Sequence, residues 1–263
     1  MTGKEEIVNE FVTLEHIGPA SVVTLNRPPF NLLNLDVLNA LVDAHVQADA
    51  HPQTRVIVTK SAVPQVFSLG LDPAYVIATP PEQRGEIFLG VGRLLHRLFA
   101  LKKPHVTVIP GPAMAGGAIL AIGSDVRVME RHAGRLSFSE PKVGLPIPRA
   151  LQAVIAHFCN PAQFREVVWG KNMTADEAHQ AGLADVLTDA DGLEAATQKQ
   201  VERFARLSPL VLAATKRAMR EKILELTEPF MDGDAEFSQF VGEEFLGEGL
   251  RALVEKRAPR FGR

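Results

Sequence analysis

Cysteine, tryptophan and tyrosine each occur once in the 263 residues. The single thiol, Cys159, has no internal disulfide partner, so a reducing compartment is expected. Within AHFCNPAQF it reads as a small buried group rather than a nucleophile. Excess positive charge is missing too. Lys and Arg number 28 against 31 Asp and Glu, a formal charge of -3, which speaks against nucleic acid as a partner. The eight histidines are scattered, with no H-x-x-x-H spacing and no Cys/His cluster, so no metal is expected. No Gly-Lys-Ser/Thr follows the glycines at 111–117, which excludes a P-loop, and no GxGxxG stands there. Ser68 and Ser139 lack the G-x-S-x-G setting of a serine hydrolase. The beginning, MTGKEEIVNEF, is acidic and has no apolar run, so it does not read as a signal peptide. With no transit peptide either, a cytoplasmic location is expected. Residues 106–124 carry no charge, yet they hold Pro110, Pro112 and four glycines. They read as a buried strand, a turn and a buried helix rather than a membrane span.

What is present is an alternation of short apolar strands and amphipathic helices. Strands are expected at 12–15 and 22–25, around the turn His16-Ile-Gly-Pro-Ala20, and again at 55–59, 106–109, 126–129 and 136–138. Helices are expected at 35–50, 85–101, 118–122, 149–157 and 161–169. Asp72 before Pro73 is a helix start: an aspartate cap with proline at the first position. The alternation predicts an α/β core of mostly parallel strands over 1–191. From Gly192 onward only helical patterns remain, near 192–206, 208–224 and 234–256, so 192–263 reads as a helical region able to oligomerise.

The segment GPAMAGGAILAI (111–122) poses a physical question. Glycine costs roughly 1 kcal/mol against alanine inside a helix, yet Gly116 and Gly117 stand where one begins. The first N–H groups of a helix lack intrahelical partners and carry partial positive charge. Glycine leaves such a donor open to close approach. A phosphate or a developing oxyanion suits that position. An oxyanion needs a second donor, and Ser68-Leu69-Gly70-Leu71-Asp72 is another turn between a strand and a helix. Two such turns on one sheet can converge.

The sequence resembles the enoyl-CoA hydratase/isomerase, or crotonase, family over nearly its whole length. The resemblance rests on Leu25-Asn-Arg-Pro-Pro, Val66-Phe-Ser-Leu-Gly-Leu-Asp72, Gly111-Pro-Ala-Met-Ala-Gly-Gly117 with Asp125-Val-Arg-Val, Phe138-Ser-Glu-Pro-Lys-Val-Gly-Leu145, Ala178-His-Gln-Ala-Gly-Leu-Ala-Asp-Val186 and Gly249-Leu-Arg-Ala-Leu-Val-Glu-Lys-Arg257, in that order. It implies an α/β fold with a crotonase-type ββα spiral core and a C-terminal helical trimerisation region. It implies an acyl-CoA substrate, with coenzyme A arriving as part of that substrate and no other cofactor, and a homotrimer or hexamer. The backbone N–H groups of Leu71 and Gly116 would form the oxyanion hole, beside Gly70, Asp72 and Gly117. The adenine would lie near Phe67, Ser68 and Leu69, with Arg27 and Lys256 contacting phosphate.

The family's hydratases carry two glutamates. At the first of these positions this chain has Ile119; at the second, in E-x-x-x-G-[LI], it has Glu140 followed by Gly144 and Leu145. Adding water calls for two carboxylates, whereas moving a double bond needs one group that takes a proton at C2 and returns it at C4. The pattern therefore resembles the Δ3,Δ2-enoyl-CoA isomerases, with an aliphatic neighbour raising the proton affinity of Glu140. A single-glutamate hydratase, a lyase and a decarboxylase stay open as alternatives. So does a non-catalytic CoA- or RNA-binding relative, for which the tail Arg251, Lys256, Arg257, Arg260 and Arg263 is the one argument. Asp72 reads as a helix cap and Asp125 as a structural carboxylate. Tyr75, Phe88 and Leu94 are candidates for the acyl pocket.

Overall fold

Runs of β-branched residues lie side by side in the middle of the molecule. The computed structural model describes residues 5–228 and 240–261. Its main sheet has the order β1 (Glu5–Asn9), β2 (Val12–Ile17), β3 (Ala20–Leu25), β4 (Val56–Ser61), β5 (His105–Ile109), β7 (Val126–Glu130) and β10 (Val186–Thr188). The first three strands are antiparallel and the rest join in parallel. Both faces are covered, which is why the parallel strands read as continuous apolar runs. Val22, Val56, Val58, Val106, Val126 and Val128 face Val201 and Phe204 of α8 (Leu193–Ala205). On the other face Val23, Leu25, Ile57 and Ile109 join the large core beneath α1 (Leu35–Ala50), α3 (Arg84–Ala100) and α4 (Gly116–Ile122).

A repeated unit generates this arrangement. After β3, β4, β5 and β7 the chain makes a second extended contact and then enters a helix. The second contacts are Leu33, the stretch Ser68–Leu71, β6 (Pro112–Met114) and β8 (Arg135–Ser137). They bridge in sequence: Leu33 to Leu71, Ser68 to Ala113, and β6 to β8, with β9 (Met173–Thr174) at the end. The chain is thus a coil of strand–strand–helix turns, and every passage from second strand to helix lies on one side.

The helices begin where their caps dictate. Asn34 accepts from Val37 N–H to open α1, and Asp72 accepts from the N–H groups of Ala74 and Tyr75 to open α2 (Pro73–Ala78). Helices α5 (Arg149–Phe158) and α6 (Pro161–Val168) follow the expected pattern. Strands β1, β6, β9 and β10 and helix α7 (Ala175–Gln180), capped by a Thr174–Glu177 capping box, were not anticipated. Cys159 is a free, buried thiol.

Past residue 192 the described secondary structure is helical. Asp125 ties α9 (Pro209–Thr227) to the core. Its carboxylate accepts from Lys216 Nζ at 2.7 Å, Arg220 Nη2 at 2.6 Å and the His105 backbone N–H at 2.7 Å. Of the expected helix at 234–256, residues 240–256 are described: a π-helical turn, Glu243–Gly247, leads into α10 (Glu248–Val254). Residues 234–239 lie outside the described residues. Helix α10 rests on the loop after β8 so closely that a β-carbon on Gly249 would fall 2.2 Å from the Val143 carbonyl oxygen. No described helix is long and apolar enough to cross a membrane.

Lys216 and Arg220 are both buried and share Asp125. Removing that carboxylate leaves two cations without their counter-charge. Asp125→Asn is expected to lower stability by about 3 kcal/mol, read as an earlier urea midpoint.

Candidate functional site

The turn from Phe67 to Asp72 is held at almost every backbone donor. Phe67 and Ser68 N–H donate to the Pro112 carbonyl, Leu69 N–H to Phe30, and Asp72 N–H to Leu33. Gly70 N–H donates to Ser68 Oγ at 3.2 Å. Only Leu71 N–H takes no partner among the described residues. The bridge to Leu33 explains this. Leu33 bonds Gly70 and Asp72 on either side, which turns the Leu71 N–H the opposite way. Gly70, at φ +88°, makes the turn possible.

The start of α4 meets this turn edge to edge. A β-carbon on Gly70 would lie 3.0 Å from Gly116 N, and one on Gly116 would lie 3.6 Å from Leu71 N. The two N–H groups therefore border a single gap. Gly116 N–H, at the first helical position, has no backbone partner among the described residues. Ala115 before it is held at φ +45°, an unusual conformation for a residue with a side chain, with its N–H on the Ser137 carbonyl. The two glycines do different jobs. Gly116 keeps the gap open. Gly117 turns inward, where a β-carbon would meet the Ser68 carbonyl oxygen at 2.3 Å.

The next turn of the coil supplies the carboxylate. Glu140 begins a 3-10 turn, Glu140–Val143, that Gly144 closes at φ +79°. Its side chain enters a cavity of about 110 Å3 whose wall also includes Leu71, Gly116 and Ile119. Glu140 Oε2 is buried with no hydrogen-bond partner. Burial pushes the Glu140 carboxyl up to about 7. The rest of the lining is apolar apart from Ser139. Phe88, Val91 and Leu95 come from one face of α3, and Val143, Leu145, Pro148 and Leu151 from the loop and helix after the carboxylate. Leu246, Leu250 and Leu253 close the cavity from the C-terminal helix. Two free donors facing a base in a dry space are equipped to stabilise an enolate formed by removing a proton from carbon.

The other expected site residues lie around this centre. Arg27 donates to Asp72 Oδ2 at 2.9 Å and to the Leu32 carbonyl at 2.8 Å, and its guanidinium stacks over Phe11. Asp72 thus caps α2 and anchors Arg27 together. Phe67 and Ser68 are fully buried, while Leu69 reaches the cavity wall. Lys256 follows α10, exposed, at φ +53°. Arg257 in the same tail is paired with Glu248 and Glu255, and Arg263 lies outside the described residues. Of the pocket candidates, Phe88 lines the cavity; Leu94 turns into the main core instead, since one helical face carries 88, 91 and 95. Tyr75 packs behind the cavity beside Val76. The reading of the sequence missed the wall of three leucines, although their spacing in α10 and the turn before it is helical. Among the described residues no group of three or more His, Cys, Asp or Glu could hold a metal ion.

Comparison with known proteins gives the family and the fold. The family model for enoyl-CoA hydratase/isomerase matches residues 19–263. The enoyl-CoA hydratase EchA19 of Mycobacterium tuberculosis is 29% identical over 259 residues, covering 94% of this chain and 95% of that protein. The mitochondrial enoyl-CoA delta isomerase 1 of the mouse is 24% identical over 273 residues, covering 99% and 92%. The crystal structure of human mitochondrial delta3-delta2-enoyl-CoA isomerase superposes with a TM-score of 0.88 at 22% identity, covering 94% of this chain and 98% of that one, a likeness of fold. The coil of strand–strand–helix turns is the crotonase-type α/β fold, and the chain belongs to the enoyl-CoA hydratase/isomerase family.

Proposed function

We propose that this enzyme moves a double bond in an acyl-CoA thioester, converting 3-enoyl-CoA to trans-2-enoyl-CoA. One observation carries the reading: Glu140 is the sole ionisable side chain among the cavity's lining residues, and Ile119 occupies the side where a second carboxylate would serve hydration. In the proposed reaction the Glu140 carboxylate removes a proton from C2. The electron pair is delocalised over a dienolate, whose thioester oxygen accepts from Leu71 and Gly116 N–H. Glu140 then returns the proton to C4, and the double bond comes to rest between C2 and C3. The same group acts as base and acid, so a pKa near neutrality suits both half-reactions. Coenzyme A enters as part of the substrate. We assign its adenine to the neighbourhood of Phe67, Ser68 and Leu69 and its phosphates to Arg27 and Lys256.

Hydration is the second reading, favoured by the names of relatives such as the Mycobacterium tuberculosis enoyl-CoA hydratase. A homo-oligomer is also proposed, a trimer or a hexamer. Supporting it, Leu210, Val211 and Met219 on α9 are 83%, 63% and 63% exposed.

The deciding experiment gives the purified protein 3-hexenoyl-CoA and, separately, trans-2-hexenoyl-CoA. Conversion of the first, with little 3-hydroxyacyl product from the second, is expected; fast hydration of the second would favour the hydratase. Glu140→Gln should lower isomerisation by about 10²–10⁴-fold and abolish solvent exchange of the C2 proton. The pH dependence follows from the direction of the Glu140 shift. The base works when ionised, so kcat/KM should rise through about pH 7 and then level off. The folded pKa lies above the ordinary 4.5, so the carboxyl's favourable contribution is complete below pH 4.5 and lost by about pH 7. The stability advantage of Glu140→Gln should therefore grow between those values and stay constant above them, as measured by urea denaturation across pH. Light scattering should give a mass three or six times that of the chain; a monomer would remove the oligomer proposal.

A further inference from the structure

Asn31 is a fully buried polar residue that none of the chemistry above uses. Its backbone sits at φ +49°, a region asparagine tolerates better than most residues. The side-chain amide is fully engaged. Oδ1 accepts from Arg27 N–H at 2.7 Å, while Nδ2 donates to Ser61 Oγ at 2.7 Å and to the Phe67 carbonyl at 2.8 Å. Its own carbonyl accepts from Ser68 Oγ at 2.7 Å, and that same hydroxyl receives Gly70 N–H. Phe30 and Leu33 on either side bond Leu69, Gly70 and Asp72. The segment 30–33 therefore acts as a template for the turn 67–72, and Asn31 contributes the side-chain share of it. Its bonds reach Phe67 directly and Gly70 through one hydroxyl, and Gly70 immediately precedes the unpaired donor Leu71.

We propose that Asn31 is a positioning residue for the oxyanion hole: its side-chain amide, through the Phe67 carbonyl, and its main-chain carbonyl, through Ser68, aim the Leu71 N–H at the thioester oxygen without touching the substrate. This rests on the reading of Leu71 and Gly116 as the oxyanion donors. It does not require that the reaction be an isomerisation. Donor geometry matters most where charge develops, and removing one oxyanion donor typically lowers turnover by about 10²–10³-fold. A donor tilted rather than lost should cost less, about 10-fold or more. The loss should fall on kcat, with KM little changed, because the ground-state thioester oxygen carries little charge.

The test uses a probe that needs no turnover. Acetoacetyl-CoA ionises to an enolate that absorbs in the near ultraviolet, and an oxyanion hole favours the enolate. The wild-type protein should bind it as the enolate. Asn31→Gly keeps the positive φ accessible and deletes the amide, so enolate affinity should fall at least tenfold while affinity for free CoA stays the same. The apparent pKa of kcat/KM should not move, since Glu140 is untouched. Equal enolate affinity in a folded Asn31→Gly protein would overturn the proposal, as would a parallel loss of enolate and CoA binding. If that variant does not fold, Ser68→Ala decides. It removes the relay to Gly70, and it should weaken enolate binding at least threefold more than binding of free CoA; an equal change in both, or none, overturns the proposal. A wild-type protein that binds acetoacetyl-CoA without forming the enolate would overturn the oxyanion reading itself. Enolate binding without double-bond migration would leave Asn31's role standing and remove only the isomerase.

Discussion

The site depends on one contact between successive turns of the coil, where Gly117 rests on the Ser68 backbone with no space for a β-carbon. That contact sets the height of α4 against the 67–72 turn. It brings the Leu71 and Gly116 donors to the same gap, and it carries Ile119, one turn further along the helix, to the cavity wall. At the far end of α4, a β-carbon on Gly123 would fall 2.6 Å from Leu98 Cδ1, and Asp125 follows after Ser124 with its grip on α9. Seven residues of helix thus connect the gap beside Leu71 and Gly116 to the anchor of the C-terminal helices. A close-packed interior transmits displacement along such an element rather than absorbing it.

Much of this was legible in the sequence where the signals are local. Helix α1 was expected at 35–50 and is found there, because apolar periodicity and the Asn34 cap agree. The Asp72–Pro73 start of α2 was equally plain. Two features with local signals were overlooked: the Thr174–Glu177 capping box of α7, and the apolar spacing of Leu246, Leu250 and Leu253. Strands β1 and β9 gave little to read, one opening on two glutamates and the other only two residues long. The two glycine turns and Glu140 stood out by type and spacing. What no local pattern shows is partnership across the chain. Arg27 reads as a free cation until Asp72 is found beside it. Asn31 carries no signal until the fold brings it to Phe67 and Ser68.

The buried charges fall into two kinds. Asp125 and its cations are mutually compensated, with backbone groups taking up further hydrogen-bonding capacity. Glu140 has an oxygen with no partner in an apolar wall, an arrangement that stability alone would not select. Such a group persists when the surrounding structure over-determines it. Here the 3-10 turn, the left-handed Gly144 and the close seat of α10 supply that constraint.

The wall formed by Leu246, Leu250 and Leu253 has a consequence for how the molecule comes into being. A chain synthesised from its N-terminus makes the two glycine turns and the carboxylate well before these leucines emerge. Until they dock, the cavity around Glu140 lacks the wall that they supply. That wall is the last part of the cavity's lining to be made. The enclosure of this carboxyl therefore waits on α10 and the turn before it, not on the arrival of the carboxyl itself.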